Sequence, residues 1–171
     1  MENTFPTSGS SFRVKASRSA SITVDSLGSW TDFVGDEYKA FSGTAVYTTT
    51  INKVPVADVI KLNLGTVAEN ASVYLNGEYI GTVIDSPYQL YIPAEKFKGQ
   101  DELVVRVANS MANRIAYMDK KGVDWKIFYN VNMSARKKEN VKNGIFDASD
   151  WEPKSSGLLG PVTLTPAMVK Q

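Results

Sequence analysis

The fold is decided by the stretch from Ser72 to Gly81, which reads Ser-Val-Tyr-Leu-Asn-Gly-Glu-Tyr-Ile-Gly. Asn76 and Gly77 form the pair that a type I′ hairpin turn prefers, because both central residues of that turn have a positive φ angle. Before the turn, Val73 and Leu75 alternate with their neighbours. This period of two is typical of a strand with one buried face. The stretch therefore predicts an antiparallel hairpin.

Further strand candidates recur along the chain, and clusters of Gly, Pro, Asn and Asp separate them. Short strands at near-even spacing with turn signals between them favour an all-β sandwich or barrel. The segment Leu103–Val107 is apolar on both faces apart from Arg106, as a central strand would be. The full set of candidates is Phe12–Lys15, Ser21–Val24, Ala45–Ile51, Val59–Leu64, Ser72–Leu75, Tyr79–Ile84, Tyr88–Ile92, Leu103–Ala108 and Pro161–Thr165.

The pattern changes after Asn109. Apolar residues at positions 111, 115 and 118 have the spacing of one helical face. Ser110 is the expected N-cap of this short helix and Gly122 its expected stop. From there to about residue 156 the chain is polar, aromatic and irregular, and a loop of that length in a compact domain is usually functional.

Composition limits the function. The 171 residues carry a net charge of +1 and include no cysteine and no histidine. We therefore expect no nucleic-acid partner, no disulfide and no Ser-His-Asp triad. No apolar run approaches the roughly 18 residues of a membrane span, so we expect no membrane partner. Residues 1–11 are predicted to be a flexible lead or linker remnant of a longer polypeptide, and residues 12–171 a single domain.

Four segments resemble a known family. The stretch Leu62–Gly81 resembles the signature "LG-x-V…A-x-V-x-L-N-G-x-x-x-G", and Leu27–Phe33 followed by Phe41–Thr50 resembles the opening "W…F-S-G-x-A-x-Y-x-x-x-F". Val107–Arg114 resembles "V-x-N-x-x-x-N-R", and Ser156–Leu164 resembles "S-G-L-L-G-P-V-x-L". These are motifs of the galactose-binding-like jelly-roll domains of glycoside hydrolases, of the family 2 sugar-binding type. In order and spacing they most resemble the C-terminal domain of family 106 α-L-rhamnosidase-type enzymes.

The resemblance implies an antiparallel β-sandwich of the galactose-binding-like jelly-roll type. It also implies a non-catalytic accessory module, for carbohydrate binding or structural support, in a bacterial polysaccharide-degrading enzyme. Catalytic residues are then expected on another domain, and none is assigned to this chain. The parent protein is expected to be secreted, into the periplasm or outside the cell. Two alternatives stay open, namely a purely structural docking domain and a small hydrolase that uses loop carboxylates.

Carbohydrate contact requires flat rings and planar polar groups. Aromatic side chains cover the apolar faces of sugar rings, while amides and guanidinium groups bind the hydroxyls. The partner is expected to be a rhamnose- or galactose-containing glycan, or the catalytic domain of the parent enzyme. The competing interpretation of the aromatic residues is core packing, above all for the first of them. The candidate carbohydrate-binding residues are Trp30, Tyr38, Asn113, Arg114, Trp125 and Tyr129.

Two groups of acidic residues fall in predicted loops. Glycoside hydrolysis needs a carboxylate pair about 5–9 Å apart, and Ca²⁺ prefers several oxygen ligands. The simplest interpretation is that these side chains are solvated, with a possible structural calcium site as the alternative and no other cofactor expected. The acidic residues are Asp32, Asp36, Glu37, Asp147, Asp150 and Glu152.

Overall fold

The computed structural model describes residues 3–5, 11–16, 21–127 and 137–167. The chain divides into two compact units. The first unit comprises Met1–Ser29, Gly43–Asn109 and Ser156–Gln171, and the second comprises Trp30–Ser42 and Ser110–Ser155. The single domain expected over residues 12–171 stays a prediction.

The first unit is built from strands. Its one short helical turn is a 3₁₀ turn at Ala94–Lys96, as far as the described residues go. The strands are β1 (Asn3–Phe5), β2 (Phe12–Ala16), β3 (Ile22–Val24), β4 (Thr44–Ile51), β5 (Val59–Asn63), β6 (Thr66–Ala68), β7 (Asn70–Leu75), β8 (Glu78–Val83), β9 (Gln89–Pro93), β10 (Asp101–Ala108), β13 (Gly157–Gly160) and β14 (Val162–Ala167).

Two antiparallel sheets account for most of these strands. One has six strands in the order β3-β2-β4-β10-β7-β8, and the other has four in the order β1-β14-β5-β9. Strands β6 and β13 form a separate antiparallel pair. The predicted all-β class and antiparallel sandwich are confirmed. The apolar segment around Val105 is a central strand, as predicted, because β10 pairs with β4 on one side and β7 on the other.

The predicted hairpin joins β7 and β8. Asn76 and Gly77 have φ angles of 52° and 81°, as a type I′ turn requires. The Asn76 side chain fixes the turn to its neighbour strand: its Nδ2 donates to Asp101 at 2.7 Å, and its Oδ1 accepts from the Glu102 amide at 2.9 Å. Asp101 is buried and also accepts from two amides of the preceding loop, so the base of the hairpin is fully hydrogen-bonded.

Alternation along the strands sets the core of this unit. Buried and more exposed residues alternate along β4, β7 and β10, so that each strand has one apolar face. Residues such as Ile60, Leu62, Val73, Val105 and Leu164 are completely buried. Tyr47 is one of the polar members of this core: it is 2% exposed and its hydroxyl accepts from the Leu158 amide at 3.2 Å.

Three strands of the first unit were not expected from the sequence. Strand β1 lies within the predicted lead, and it pairs with β14 from Asn3 opposite Leu164 to Phe5 opposite Val162. Strands β6 and β13 flank a close approach of two backbones at Gly65 and Gly160, which form an isolated bridge. Both glycines have positive φ angles, so the backbone of each lies in a region that side chains resist.

The second unit holds the helices and one small strand pair. The helices are α1 (Asp36–Lys39) and α2 (Ala112–Lys120), with 3₁₀ turns at Trp30–Asp32 and Lys138–Asn140. The strands are β11 (Val141–Lys142) and β12 (Ile145–Phe146), which pair with each other. No helix in the described ranges is long and apolar enough to cross a membrane.

The predicted helix is present with a shifted start. Helix α2 begins at Ala112 after Met111, and no side chain caps it. The prediction of Ser110 as N-cap was therefore wrong. Gly122, at φ 65°, follows the last turn as predicted. The buried residues of α2 are Asn113 and Ala116, whereas Met111 is exposed, so the face that packs inward is rotated from the predicted one.

Candidate functional site

The candidate carbohydrate-binding residues all have sequence positions in the second unit. Five of the six are described there, and Tyr129 lies outside the described residues. The structure gives most of them structural partners.

Trp30 and Tyr38 pack against phenylalanines. Trp30 is 3% exposed, and its ring lies edge-on to Phe41 with centroids 5.3 Å apart. Tyr38, on α1, lies edge-on to Phe33 at 5.5 Å. Because the Trp30 ring is buried, it has no free face for a sugar, in line with the packing alternative.

Asn113 is a structural clamp on helix α2. It is buried, its Nδ2 donates to the Lys154 carbonyl at 2.8 Å, and its Oδ1 accepts from the Lys154 amide at 2.8 Å. The amide thus imitates a backbone pairing and holds the segment before Ser156 against α2. Both ends of the Asn113 amide are thus engaged in holding this segment.

Asp119 is the organising residue of this unit. Its carboxylate is fully buried and accepts hydrogen bonds from Trp125 Nε1 at 2.7 Å, Lys126 Nζ at 2.5 Å and the Ala148 amide at 2.8 Å. A buried charge requires such a complete set of partners, because each unpaired polar group costs free energy. This carboxylate therefore joins α2 to the segments that contain Trp125 and Ala148.

Trp125 donates to Asp119 and also packs into an apolar cluster. It packs with Ile115 and Trp151 against the buried pair Phe146 and Ala148. Val123 is 47% exposed and Ile127 is 82% exposed, and the segment is not a strand.

Arg114 points to an aromatic residue that the sequence analysis missed. Its guanidinium lies 5.7 Å from the centroid of Tyr117, and Lys121 Nζ lies 5.6 Å from the same ring. Arg114 and Tyr117 on α2 and Lys121 just after its end are spaced by three and four residues, which brings them to one side of the helix. That spacing was the available signal for an aromatic ring flanked by two cations.

A cleft of about 790 Å³ lies within this unit. This volume is in the range of about 300–1,000 Å³ that is usual for ligand sites. Its walls present two aromatic rings, those of Tyr117 and Trp151, beside charged side chains of both signs. The charged residues of the lining are Asp36, Lys39, Asp119, Lys120, Lys121, Lys142, Asp147, Asp150 and Glu152.

One side of the cleft is a small charge network. Lys142 Nζ lies 3.4 Å from Asp147 and 3.2 Å from Asp150, and it donates to Ser149 Oγ at 2.6 Å. The hydrogen bond from the Ser149 hydroxyl, reinforced by the Ser149 amide and Lys142, holds the pKa of Asp147 below its usual value. The hydrogen bond to Asp150, followed by the influence of Asp147, raises the pKa of Lys142. Lys142 and Asp147 therefore both stay ionised at neutral pH.

This network does not resemble an acid catalyst. A general acid for glycoside cleavage needs a carboxyl group whose pKa is raised, so that it still carries a proton near neutral pH. Asp147 has the opposite shift, and an ammonium group is bound to it and to Asp150. The pair is therefore better suited to holding the loop than to transferring a proton.

The possible calcium site finds no ligand set in the part of the chain that the structure describes. There, no three acidic side chains come together as a metal site would require. Asp36 instead lies 3.6 Å from Lys121. Asp32 and Glu37 are exposed.

Comparison with known proteins gives matches to long carbohydrate-active enzymes. No protein-family model matches the chain. Over 158 residues it is 32% identical to a putative β-glucuronidase of Formosa agariphila, a match that covers 84% of this chain and 14% of that protein. A rhamnosidase from Novosphingobium sp. PP1Y has a similar structure, with a TM-score of 0.74 and 27% identity. That match covers 96% of this chain and 15% of the rhamnosidase.

More distant structures share the fold alone. A β-glucuronidase from Ruminococcus gnavus matches 64% of the chain with a TM-score of 0.51 at 16% identity. Its counterpart from Dictyoglomus thermophilum matches the same share with a TM-score of 0.53 at 15% identity. The chain is thus an antiparallel β-sandwich that is similar to one module of glycoside hydrolases. It spans about a seventh of the length of the putative β-glucuronidase and of the rhamnosidase.

Proposed function

We propose that this chain is a non-catalytic accessory module of a bacterial polysaccharide-degrading glycoside hydrolase, and that it contacts carbohydrate. One observation carries the proposal. The two matches cover 84% and 96% of this chain but only 14% and 15% of the putative β-glucuronidase and the rhamnosidase. A segment that matches so small a part of a long enzyme corresponds to a module rather than to the whole catalyst.

The module type that we propose is the galactose-binding-like jelly roll at the C-terminus of family 106 α-L-rhamnosidase-type enzymes. The structure supports this through two of the motif segments that carry the resemblance. Gly65 of the first and Gly160 of the last meet in one backbone bridge. In this proposal the parent enzyme is secreted, and the glycan contains rhamnose or galactose.

The cleft of the second unit is the proposed contact site. Tyr117 contributes a ring to its wall, and Lys39 and Lys120 line it without a carboxylate within 4 Å among the described residues. Rings and charged donors of this kind suit a hydroxyl-rich ligand. Because the cleft is open and part of its polar lining is already paired, we expect weak binding, with a Kd of about 1 mM.

Isothermal titration calorimetry of the full chain tests the proposal. We expect heat with rhamnose- or galactose-containing oligosaccharides, and a loss of that heat in Tyr117→Leu. Tyr91→Leu is the matched control, since Tyr91 is an exposed tyrosine on β9 of the first unit. Flat heats with every neutral and charged glycan would reject carbohydrate contact. If the binding heat is unchanged in Tyr117→Leu, the carbohydrate site is not this cleft.

A docking role on the parent's catalytic domain is the second candidate. The exposure of Val123 and Ile127, on either side of the half-buried Trp125, favours it, because exposed apolar side chains often mark an interface. If this is the role, changing both residues to serine weakens association of the isolated chain with the isolated catalytic domain and leaves glycan titrations unchanged. If the wild-type chain and the double variant associate equally with the catalytic domain, the docking role through Val123 and Ile127 is contradicted.

A further inference from the structure

The outer face of the six-stranded sheet carries a continuous array that the cleft does not involve. Five strands contribute to it through their pairing register. In one row, Arg13 is opposite Thr48, Thr48 is opposite Val104, Val104 is opposite Tyr74, and Tyr74 is opposite Tyr79. The next row contains Lys15, Val46, Arg106, Ser72 and Thr82 in the same order of strands.

Aromatic rings and hydroxyl groups occupy one half of this array. The rings of Tyr74 and Tyr79 have centroids 5.5 Å apart, and Tyr79 is 55% exposed. The Thr82 hydroxyl lies 2.9 Å from the Tyr79 hydroxyl and 2.8 Å from the Ser72 hydroxyl. The chain of hydroxyls fixes the Tyr79 ring in place beside that of Tyr74, at an interplanar angle of 60°.

The other half of the array is positively charged. Arg13, Lys15 and Arg106 are exposed, and no described carboxylate lies within 4 Å of any of them. The Arg106 guanidinium lies over the Tyr74 ring, 4.7 Å from its centroid, which orients its donors along the sheet. The two rows contain no acidic residue, and Glu102 occurs only in the next row, opposite Thr50.

We propose that this face binds an extended anionic oligosaccharide, whose carboxylate or sulfate groups pair with Arg13, Lys15 and Arg106 and whose rings stack on Tyr74 and Tyr79. Strand spacing makes a row about 19 Å long, enough for several sugar rings. A net charge of only +1 over the chain argues against a nucleic-acid surface, which needs a wider basic field. The inference rests on the proposed function in one respect, that the chain works among glycans.

The experiment is a titration of the full chain with three probes: hexagalacturonic acid, the neutral maltohexaose and a single-stranded oligonucleotide of matched charge. We expect hexagalacturonic acid to bind at about 0.1 M salt, where the Debye length is about 10 Å, and to be released near 1 M, where it is about 3 Å. Maltohexaose carries no charge and therefore forms no charge pair with Arg13, Lys15 or Arg106. It should bind at least about tenfold more weakly.

Matched variants locate the site. Arg13→Gln with Lys15→Gln should weaken hexagalacturonate binding about tenfold, since each exposed charge pair contributes a few-fold and two are removed. Lys53→Gln with Lys98→Gln removes the same charge outside the two rows and should leave the affinity unchanged. All variants are surface changes, and unaltered circular dichroism checks their fold.

The outcomes separate the two proposals. Equal losses in both double variants, or tighter binding of the oligonucleotide, would overturn the anionic-glycan assignment of this face. Binding of neutral rhamnose- or galactose-containing glycans alone would also overturn it, while the proposed function would stand. No binding of any glycan would reject both.

Discussion

Replacing Gly65 with alanine tests the backbone contact that joins two of the motif segments. Gly65 has a φ of 67°, and an added Cβ would lie 2.3 Å from the carbonyl carbon of Gly160 and 2.4 Å from its oxygen. Both atoms belong to backbone, so no side-chain rotation relieves the clash. Gly77, at φ 81°, has no atom within 4 Å of such a Cβ and is the matched control.

The expected magnitudes follow from these two sites. A left-handed backbone costs an alanine about 1–2 kcal/mol, so Gly77→Ala should lower the free energy of unfolding by about that amount. Gly65→Ala carries the same cost plus that of overpacking, typically about 1–3 kcal/mol, and should lose about 2–5 kcal/mol. Urea unfolding followed by far-ultraviolet circular dichroism measures both. Losses that agree within about 0.5 kcal/mol would refute the argument from the Gly160 contact.

Three further predictions concern buried charge, alkaline pH and catalysis. Asp119→Ala leaves the Lys126 ammonium without its buried partner and should destabilise the second unit by about 3–5 kcal/mol, as measured by tryptophan fluorescence. Asp124 is exposed, so Asp124→Ala should change the stability little. Equal unfolding midpoints of the two variants would contradict the role of Asp119. Burial, opposed in part by the Leu158 amide, raises the pKa of Tyr47 from 10.0 to about 12. The folded state then holds a proton that the unfolded state loses, so stability should fall by about 3 kcal/mol between these pH values. In Tyr47→Phe, the urea midpoint should not show this fall between the two pH values. A fall of the same size in that variant would mean that other groups cause it. The isolated chain should not turn over an aryl α-L-rhamnoside, and turnover that disappears in Asp150→Asn would revive the hydrolase alternative.

Local sequence signals predicted the hairpin and the central strand well. The Asn76-Gly77 pair specifies its turn through two φ angles, and the run around Val105 is apolar on both faces, so each signal is contained in a few residues. Strands β6 and β13 were missed because they are short and are stabilised by a pairing between distant segments. Neither contains an alternation long enough to be recognised.

The functional surfaces were harder to predict, because they depend on contacts between distant residues. The sequence made Trp30 and Trp125 candidates for carbohydrate contact, with core packing as the competing interpretation. It does not reveal that the Trp30 ring is buried or that the indole N–H of Trp125 donates to Asp119. Tyr117 could have been predicted from the sequence, since it lies only three residues from Arg114 along α2. The basic face of the sheet could not have been predicted, because Lys15 and Arg106 are brought into one row only by the register of β2, β4 and β10.

The central claim is that this chain contacts carbohydrate and performs no hydrolysis itself. The most direct test is to incubate the full chain with rhamnose- and galactose-containing oligosaccharides in the calorimeter and to analyse the same samples for released sugar afterwards. The account predicts saturable heat and intact oligosaccharides. Shortened oligosaccharides, or no heat with any glycan, would contradict it.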